Sequence, residues 1–494
     1  MTPYSTMLRK AALRLVVAAL VLVVAAGCVS TRADAGAGGS RPDAGRAHAA
    51  PSSDWTTYNQ NGLRTGVDAS GASFSSAAAA WTSTTLDGTL YGQPLVATGR
   101  VYAATENDTV YALAADSGTV LWSHHLATPF APSSVNGLCG NITPTVGITS
   151  TPVIDTARRE LFVVAAEQAP GAASHHLFGL DLYTGAVLLD EVVDPPASVV
   201  PNPAFELQRA SLALTSGWVV IGFGGNFGDC GTYHGLVVSA PENGSTPSTF
   251  VVANLSGDNG GAVWMGGGAP VVDGQGDIWV ATGNSSHVTP GDQYDYSDSV
   301  VKLTPTAVPL DSFAPTSWIT DNATDADLGS TAPVLLPNGL AFTVGKALTA
   351  YVLHRSPLGG IGGQVAATPN FCGSDPDGGS AQVNGTVFVP CGDGLRAVTP
   401  TPTSPTEKWR STSGAHSPPV VAGGLVWSLG GGTLYALDPA NGVEHANFPV
   451  GASASSFPSP AAADGLVIAQ SANQLHAFVG PAGLPGPPSV AVSQ

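Results

Sequence analysis

Charged residues are scarce in this chain, and lysine is the scarcest of them. Only 11% of the 494 residues are Asp, Glu, Lys or Arg, and the formal net charge is −18. Lys10, Lys302, Lys346 and Lys408 are the only four lysines. The phosphates of a nucleic acid would repel so acidic a protein, so we expect no nucleic-acid partner.

Cysteine is rare as well, with five residues in the whole sequence. No two of them form a CxxC pair, which argues against zinc-ribbon and thioredoxin motifs, and no CxxCH is present to attach a c-type haem. Cys28 stands near the N-terminus. The other four, Cys139, Cys230, Cys372 and Cys391, predict structural disulfides if the chain is exported to an oxidising compartment.

The apolar run near the N-terminus, Leu15–Ala26, is too short to span a bilayer comfortably, and three basic residues precede it. It ends in Ala-Ala-Gly-Cys, which resembles a bacterial lipobox with Cys28 as the acylated residue. An ordinary signal peptide cut nearby is the alternative. We therefore predict a lipoprotein signal peptide over 1–28, a flexible tether over 29–52, and a membrane attachment on the extracytoplasmic side by a lipid anchor only.

Turn-forming residues are abundant instead: there are 61 Gly and 39 Pro, together with 43% apolar residues. This composition favours an all-β protein. The stretch 92–122 reads as four short strands, and the same pattern recurs to give eight copies along the chain, some of them weak. The copies begin near 92, 150, 212, 268, 332, 379, 417 and 459.

These repeats predict an eight-bladed β-propeller of four-stranded blades over 53–484, followed by a C-terminal tail over 485–494. The last copy lacks an evident fourth strand. Ala80–Leu86, which precedes the first copy, could supply that strand, so we expect the N- and C-terminal strands to pair and close the ring.

In such blades the loop after the second strand and the loop leading into the first strand emerge on one face of the disc. Second strands aligned by their apolar residues carry Glu167, Asn226, Asn284 and Lys346 at their ends. The leading loops of that face carry Thr149, Trp264, Asp325 and Asp327. All four remaining cysteines also fall on this face, which makes Cys139–Cys230 and Cys372–Cys391 sterically plausible pairs.

The side chains collected there predict specific chemistry. Glu167, Asn284 and Asp327 offer hard oxygen ligands, which suit Ca²⁺. Trp264 could cover a planar ring, and Lys346 could stabilise a developing oxyanion. An aspartate beside a cation, here Asp327, could accept a proton from a substrate.

The signature YALxxxxG…W, seen from Tyr111 to Trp122, resembles the repeats of quinoprotein dehydrogenases, which hold pyrroloquinoline quinone (PQQ) on the axis of an eight-bladed propeller. The same repeat occurs in BamB-like assembly lipoproteins, which have no cofactor. The likeness to quinoprotein alcohol dehydrogenases is strongest over 145–360, where "GGAVW…TGN…DSVVKL…DADLGS" is similar to the polyvinyl-alcohol-dehydrogenase branch.

This resemblance implies a role for six residues. It implies catalytic roles for Asp327 and Lys346, PQQ contacts for Thr149, Trp264 and Lys346, and calcium ligands in Glu167, Asn284 and Asp327. Two features depart from the family pattern. The disulfide between adjacent cysteines that covers PQQ in most of these enzymes has no counterpart in "LDGTLYGQP", and the usual Gly-Gly-Asn-Trp is replaced by Gly-Gly-Ser-Ala at 378–381.

Each of these residues also has a purely structural interpretation, because Thr-Gly-Asn often forms a turn, Asp often caps one, and Trp often packs between blades. Their common order favours a quinoprotein that oxidises an alcohol, polyol or sugar with PQQ and Ca²⁺ and passes electrons to an external acceptor. The alternative is a non-catalytic scaffold lipoprotein that binds another protein of the cell envelope. The loop Asp292–Ser299 could hold a structural cation, although a solvated loop is the simpler interpretation.

Overall fold

The computed structural model describes residues 54–170, 172–453, 455, 457–481 and 483. These residues form eight antiparallel β-sheets with almost no helix. The predicted signal peptide, Cys28 and the C-terminal tail lie outside the described residues and stay predictions.

Within each sheet the main strands pair with their neighbours in the chain, so each blade is built on a meander, and every predicted repeat is one blade. The first strand is β1 (Ala78–Thr82). Blade 1 contains β2 (Leu95–Ala97), β3 (Arg100–Ala104), β4 (Thr109–Ala114) and β5 (Val120–His125), and blade 2 contains β6 (Val153–Asp155), β7 (Glu160–Ala169), β8 (Ala172–Asp181) and β9 (Val187–Val192). Blade 3 contains β10 (Glu206–Leu207), β11 (Ala213–Thr215), β12 (Trp218–Gly225), β13 (Leu236–Pro241) and β14 (Ser248–Val251). Blade 4 contains β15 (Val271–Val272), β16 (Ile278–Ala281), β17 (Val300–Leu303) and β18 (Pro309–Ala314).

Blade 5 contains β19 (Val334–Leu335), β20 (Leu340–Val344), β21 (Ala350–His354) and β23 (Ala366–Thr368), and blade 6 contains β24 (Ala381–Val383), β25 (Thr386–Cys391), β26 (Gly394–Thr399) and β27 (Thr406–Arg410). Blade 7 contains β28 (Val420–Ala422), β29 (Leu425–Gly430), β30 (Thr433–Leu437) and β31 (Glu444–Pro449). Blade 8 contains β32 (Ala461–Ala463), β33 (Leu466–Gln470) and β34 (Leu475–Val479). Strand β22 (Gly360–Ile361) adds a parallel partner to β18 of blade 4. The exceptions to the meander are β1, which joins blade 8, β10, which pairs with β12, and β22, which joins blade 4. The helix α1 (Trp318–Ala323) lies between blades 4 and 5. Short 3₁₀ turns occur at Pro132–Ser134, Pro203–Phe205, Met265–Gly267 and Leu328–Ser330.

The ring closes as predicted, because β1 pairs antiparallel with β34 and completes blade 8. The pairing runs from Ala78 opposite Val479 to Thr82 opposite His476. The closing strand was predicted at 80–86 but ends at Thr82. Beyond it, the amide of Ser83 still donates to the carbonyl of Leu475 at 2.9 Å, but the amide of Leu475 donates to the Ser83 hydroxyl at 3.0 Å, so a side chain replaces one backbone acceptor.

The Gly and Trp of the repeat signature contact each other across blades. Trp81 of β1 packs against Gly118 of blade 1, Trp122 of blade 1 against Gly185 of blade 2, and Trp409 of blade 6 against Gly442 of blade 7. A Cβ at Gly118 would overlap the Trp81 ring, and the residue has a φ of +68°. Glycine is therefore required both for the turn and for docking of the neighbouring blade.

The two predicted disulfides are present, joining Cys139 to Cys230 and Cys372 to Cys391. The first bridge connects the loop leading into blade 2 with the loop between β12 and β13 of blade 3. The second connects the loop leading into blade 6 with the end of that blade's own second strand. None of the helices in the described ranges is long and apolar enough to cross a membrane.

Candidate functional site

Five of the side chains on the predicted face converge where blade 4 meets blade 5, and we call them the blade 4–5 cluster: Trp264, Asn284, Asp325, Asp327 and Lys346. The Lys346 ammonium nitrogen lies 2.7 Å from Asp327 Oδ2 and 3.1 Å from Asp325 Oδ1. It also lies 5.3 Å from the centre of the Trp264 ring. Asp327 Oδ1 accepts a hydrogen bond from the backbone amide of Asn284 at 2.9 Å.

Two glycines of the sequence motifs make this convergence possible. A Cβ at Gly283, in Thr-Gly-Asn, would overlap Asp327 Oδ1. A Cβ at Gly345, in Val-Gly-Lys, would overlap the Asp327 carbonyl oxygen. The amide of Lys346 donates to that same carbonyl at 2.7 Å. Because both neighbours lack a side chain, the loop carrying Asp327 fits between the ends of β16 and β20.

Lys346 is the cation that contacts both aspartates of the cluster. Burial lowers the pKa of Lys346, but the carboxylates of Asp327 and Asp325 raise it further, so the net shift is upward. Lys346 therefore stays a cation at neutral pH. The nearby Asp377 has an unpartnered Oδ1, and burial raises its pKa to about 7 despite the lowering effect of Lys346.

A second group of polar side chains lies at blades 1 and 2, and we call it the blade 1–2 cluster: Glu106, Asp108, Thr149 and Glu167. Thr149 donates its hydroxyl hydrogen to Glu106 Oε2 at 3.1 Å, and the amide of Gly147 donates to the same oxygen at 2.7 Å. Burial raises the pKa of Glu106 to about 7. Burial and the charges of Glu106 and Glu167 raise the pKa of Asp108 to about 9.

Glu167 is at the end of β7 on the predicted face, but its carboxylate is turned along its own blade. Its Oε1 lies 3.7 Å from Nδ1 of His176, on the adjacent strand β8. Burial raises the pKa of Glu167, while His176 lowers it. Among the described residues no hydrogen bond or ion pair connects Glu167 with Asn284 or Asp327. The structure therefore joins Asn284 to Asp327 by a hydrogen bond, while the ion-pair contact of Glu167 is with His176.

Sequence reasoning missed Glu106, Asp108, Asp377 and Arg209. Arg209 is buried and donates a hydrogen bond to Ser455 Oγ at 3.1 Å. Burial lowers the pKa of Arg209, and the negative charges of Glu106 and Asp377 act in the opposite direction. Arg209 thus connects the two clusters electrostatically. The signal for Glu106 was present, because it follows the second strand of blade 1 as Lys346 follows that of blade 5. Arg209 precedes β11 in a stretch that carries no repeat signature.

The oxygen atoms in both clusters fit a hard cation or a polar ligand. Asn284 Oδ1, Glu106 Oε1, Asp377 Oδ1 and both carboxylate oxygens of Asp108 are buried without a hydrogen-bond partner among the described residues. Such atoms are costly to bury unless something binds them. Amide and carboxylate oxygens are the donors that Ca²⁺ prefers, so the blade 4–5 cluster fits the cation that the family resemblance implies.

Comparisons with known proteins agree with this fold. Residues 66–226 match the family model described as outer membrane protein assembly factor BamB. No curated protein matches the chain. The structure is similar to a quinohemoprotein alcohol dehydrogenase from Pseudomonas putida, with a TM-score of 0.66 and 14% identity over 88% of this chain and 81% of that one.

Two further solved structures are similar as well. A europium-containing methanol dehydrogenase has a TM-score of 0.63 and 14% identity over 86% of this chain and 98% of that one. BamB from Moraxella catarrhalis has a TM-score of 0.52 and 13% identity over 82% of this chain and 98% of that one. The predicted resemblance to PQQ-like propellers is confirmed, and at these identities it is a likeness of fold.

Proposed function

We propose that this chain, whose fold is that of the quinoprotein dehydrogenases and of BamB, is a quinoprotein dehydrogenase that oxidises an alcohol, polyol or sugar at the blade 4–5 cluster. The supporting observation is the position of Asp327. One carboxylate oxygen faces the Lys346 ammonium, the other faces the Asn284 amide, and Trp264 lies beside them. A proton acceptor, a cation and an aromatic face thus occupy one site.

Each residue has a defined task in this proposal. Lys346 holds the carboxylate of Asp327 in place through a 2.7 Å ion pair, and that carboxylate would accept the proton of a substrate hydroxyl. The same ammonium is available to an oxygen atom that gains negative charge during the reaction. Trp264 presents an aromatic face against which a flat ring can stack. PQQ, when bound, would supply the two-electron acceptor, and an external acceptor would then collect the electrons.

A divalent hard cation such as Ca²⁺ would be held by Asn284 and Asp327. Asn284 Oδ1 has no hydrogen-bond partner among the described residues, so it is free to act as a ligand. Glu167 would be the third ligand once its side chain leaves His176. Thr149 would contact the cofactor from the blade 1–2 side.

We further propose that the protein is exported and attached through a lipid on Cys28. Two disulfides form readily only in an oxidising compartment, which supports export. The lipobox-like sequence supports the anchor.

The test is a titration of the full-length protein with PQQ, with and without Ca²⁺, followed by quenching of tryptophan fluorescence. We expect saturable binding that needs Ca²⁺ and weakens at least tenfold in Asp327→Asn and in Trp264→Phe. Lys408→Met, at an exposed position of β27, is the matched control and should bind like the wild type. Saturable binding would justify assays with alcohols, sugars and an artificial electron acceptor.

The second candidate is a scaffold that binds a protein of the cell envelope and has lost its cofactor. It is favoured by the orientation of Glu167 toward His176 and by the match of 66–226 to the BamB family model. Absence of PQQ binding at micromolar concentrations, with and without Ca²⁺, would overturn the enzyme proposal in favour of this one.

A further inference from the structure

We propose a second metal site, separate from the predicted calcium ligands, in which Asp258, His287 and Asp295 bind a divalent transition-metal cation such as Zn²⁺. These three residues, the Asp258–His287–Asp295 triad, offer ligand atoms that all lie within 4.8 Å of one another. Asp258 lies in the loop leading into blade 4, and the other two lie in the long loop after β16. Both loops emerge on the face that carries the blade 4–5 cluster.

The histidine is oriented as a metal ligand. Its Nδ1 lies 3.0 Å from the carbonyl oxygen of Gln293, which can only accept, so Nδ1 carries the hydrogen. In the neutral ring, Nε2 is then left with a free lone pair. That nitrogen lies 3.8 Å from Asp258 Oδ2. This is too far for a hydrogen bond but close to the distance of about 3.4 Å between two ligands of one tetrahedral zinc ion.

Asp258 provides separate evidence that a cation binds here. Its side chain is fully buried, and its Oδ2 has no hydrogen-bond partner among the described residues. The other oxygen, Oδ1, accepts hydrogen bonds from the Ser286 hydroxyl at 2.7 Å and the Asn259 amide at 2.9 Å. One oxygen is thus held in place while the other points unpaired at His287. A cation placed between the triad side chains would satisfy this buried lone pair.

Asp295 is held by a similar outer layer of hydrogen bonds. Its Oδ1 accepts from the amide and the hydroxyl of Ser297, at 3.0 and 2.7 Å. Its Oδ2 accepts from the Ser285 hydroxyl at 2.5 Å and lies 3.6 Å from His287 Nδ1. Outer hydrogen bonds that orient the ligands are characteristic of protein metal sites.

The donor set indicates the type of metal. Imidazole nitrogen is a good ligand for Zn²⁺ and other first-row transition metals, whereas Ca²⁺ takes oxygen ligands in larger numbers. Three protein ligands also leave a fourth tetrahedral position open. The His287 side chain is 20% exposed, so the metal can enter from solvent. The bound ion would join two loops and brace the segment that directly follows Asn284.

The test is calorimetric titration of metal-free full-length protein with Zn²⁺ and, separately, with Ca²⁺. We expect one zinc ion per chain and a rise in melting temperature on zinc addition. Asp258→Asn and His287→Gln should each weaken zinc binding at least tenfold, while His354→Gln, at an exposed position, should not change it. Replacement of zinc by Co²⁺ should give the visible absorption of a four-coordinate ion.

Protection from proteolysis distinguishes this site from the proposed cofactor site. Zinc should protect the loop 285–298 from proteolysis in the wild type and in Asp327→Asn, but not in His287→Gln. Wild-type zinc affinity in both triad variants would overturn the proposal, and so would a preference for Ca²⁺ over Zn²⁺. Neither result depends on whether PQQ binds.

Discussion

The blade 4–5 cluster and the blade 1–2 cluster lie on the same face of the propeller, yet only the first contains a cation in contact with its acidic side chains. In the first, Lys346 contacts both Asp325 and Asp327. In the second, Glu106 and Asp108 are buried with no cation among their hydrogen-bond partners, and burial raises their pKa values to about 7 and about 9. In the first cluster a cation contacts the carboxylates, whereas in the second burial favours the protonated form of the acids.

This difference matters for function because a buried acid that holds a proton can exchange it for another positive partner. A cation or a hydrogen-bond donor that binds at the blade 1–2 cluster would displace protons from it. In the blade 4–5 cluster the carboxylates instead raise the pKa of Lys346, which keeps its proton at neutral pH. Binding at the two clusters can therefore be told apart by the pH dependence of affinity and stability.

We expect the largest change in the free energy of unfolding from the substitution Asp108→Asn. The folded pKa of Asp108 lies above the unfolded value, so the folded protein holds this proton more tightly, and the free energy of unfolding falls as pH rises from about 4 to about 9. Asp108→Asn mimics the protonated acid and removes this loss. We expect the variant to match the wild type at pH 4 and to be more stable at pH 8 by up to about 6 kcal/mol, since each of the four pH units in this range corresponds to about 1.4 kcal/mol; the measurement is urea denaturation.

Glu444→Gln, at an exposed position of β31, is the control for this experiment and should not alter the pH profile. Parallel profiles for the wild type and Asp108→Asn would mean that the blade 1–2 cluster does not store a proton, and the contrast between the clusters would disappear.

The next effect is at Lys346. Lys346→Met leaves Asp327, with only 10% of its side chain exposed, without its cation. Loss of one partner of a fully buried ion pair costs about 3–5 kcal/mol, and since Lys346 is partly exposed we expect about 2 kcal/mol. The measurement is again urea denaturation, at pH 7. Lys408→Met should change the unfolding free energy by less than about 0.5 kcal/mol, and an equal loss in both variants would contradict the role of the ion pair.

The smallest effect is expected at Glu167. Its carboxylate is 27% exposed, and its ion-pair distance to His176 is 3.7 Å. So loose a pair contributes little, and Glu167→Gln should change stability by less than about 0.5 kcal/mol without added metal. Calcium affinity gives a sharper measurement. A tenfold loss of Ca²⁺ binding in this variant is expected if the two clusters share one cation, while unchanged binding would confine the cation to the blade 4–5 cluster.

The fold could be predicted from the sequence because each repeat carries its own local signals. Turn glycines, alternating apolar residues and the Gly–Trp pair define a blade, and the weak final repeat reveals the closing strand. The side-chain partners of Glu167 could not be predicted in the same way. Its position at a strand end follows from the repeat, but its contact with His176 depends on a rotamer and on the long β7–β8 hairpin of blade 2.

The positions of Trp264, Asn284, Asp327 and Lys346 follow from the repeat, because each lies in a loop that enters or leaves a strand on one face of two adjacent blades. Their roles stay predictions. Arg209 and Asp377 were missed because they lie in irregular segments, where periodicity gives no register. The carboxylates of the Asp258–His287–Asp295 triad are separated along the chain, and only the three-dimensional structure shows that Asp258 lies beside the loop containing the other two.

The closing pair of strands also sets the timing of folding. Thr82 and His476, which face each other in blade 8, are 394 positions apart. At a synthesis rate of about 5–20 residues per second, β1 leaves the ribosome roughly 20–80 s before its partner does. During that interval an alanine-rich strand ending in Trp81 and Thr82 has an open edge, which is the kind of surface that pairs with other chains. The earliest strand of this protein therefore depends longest on whatever protects an unfinished chain.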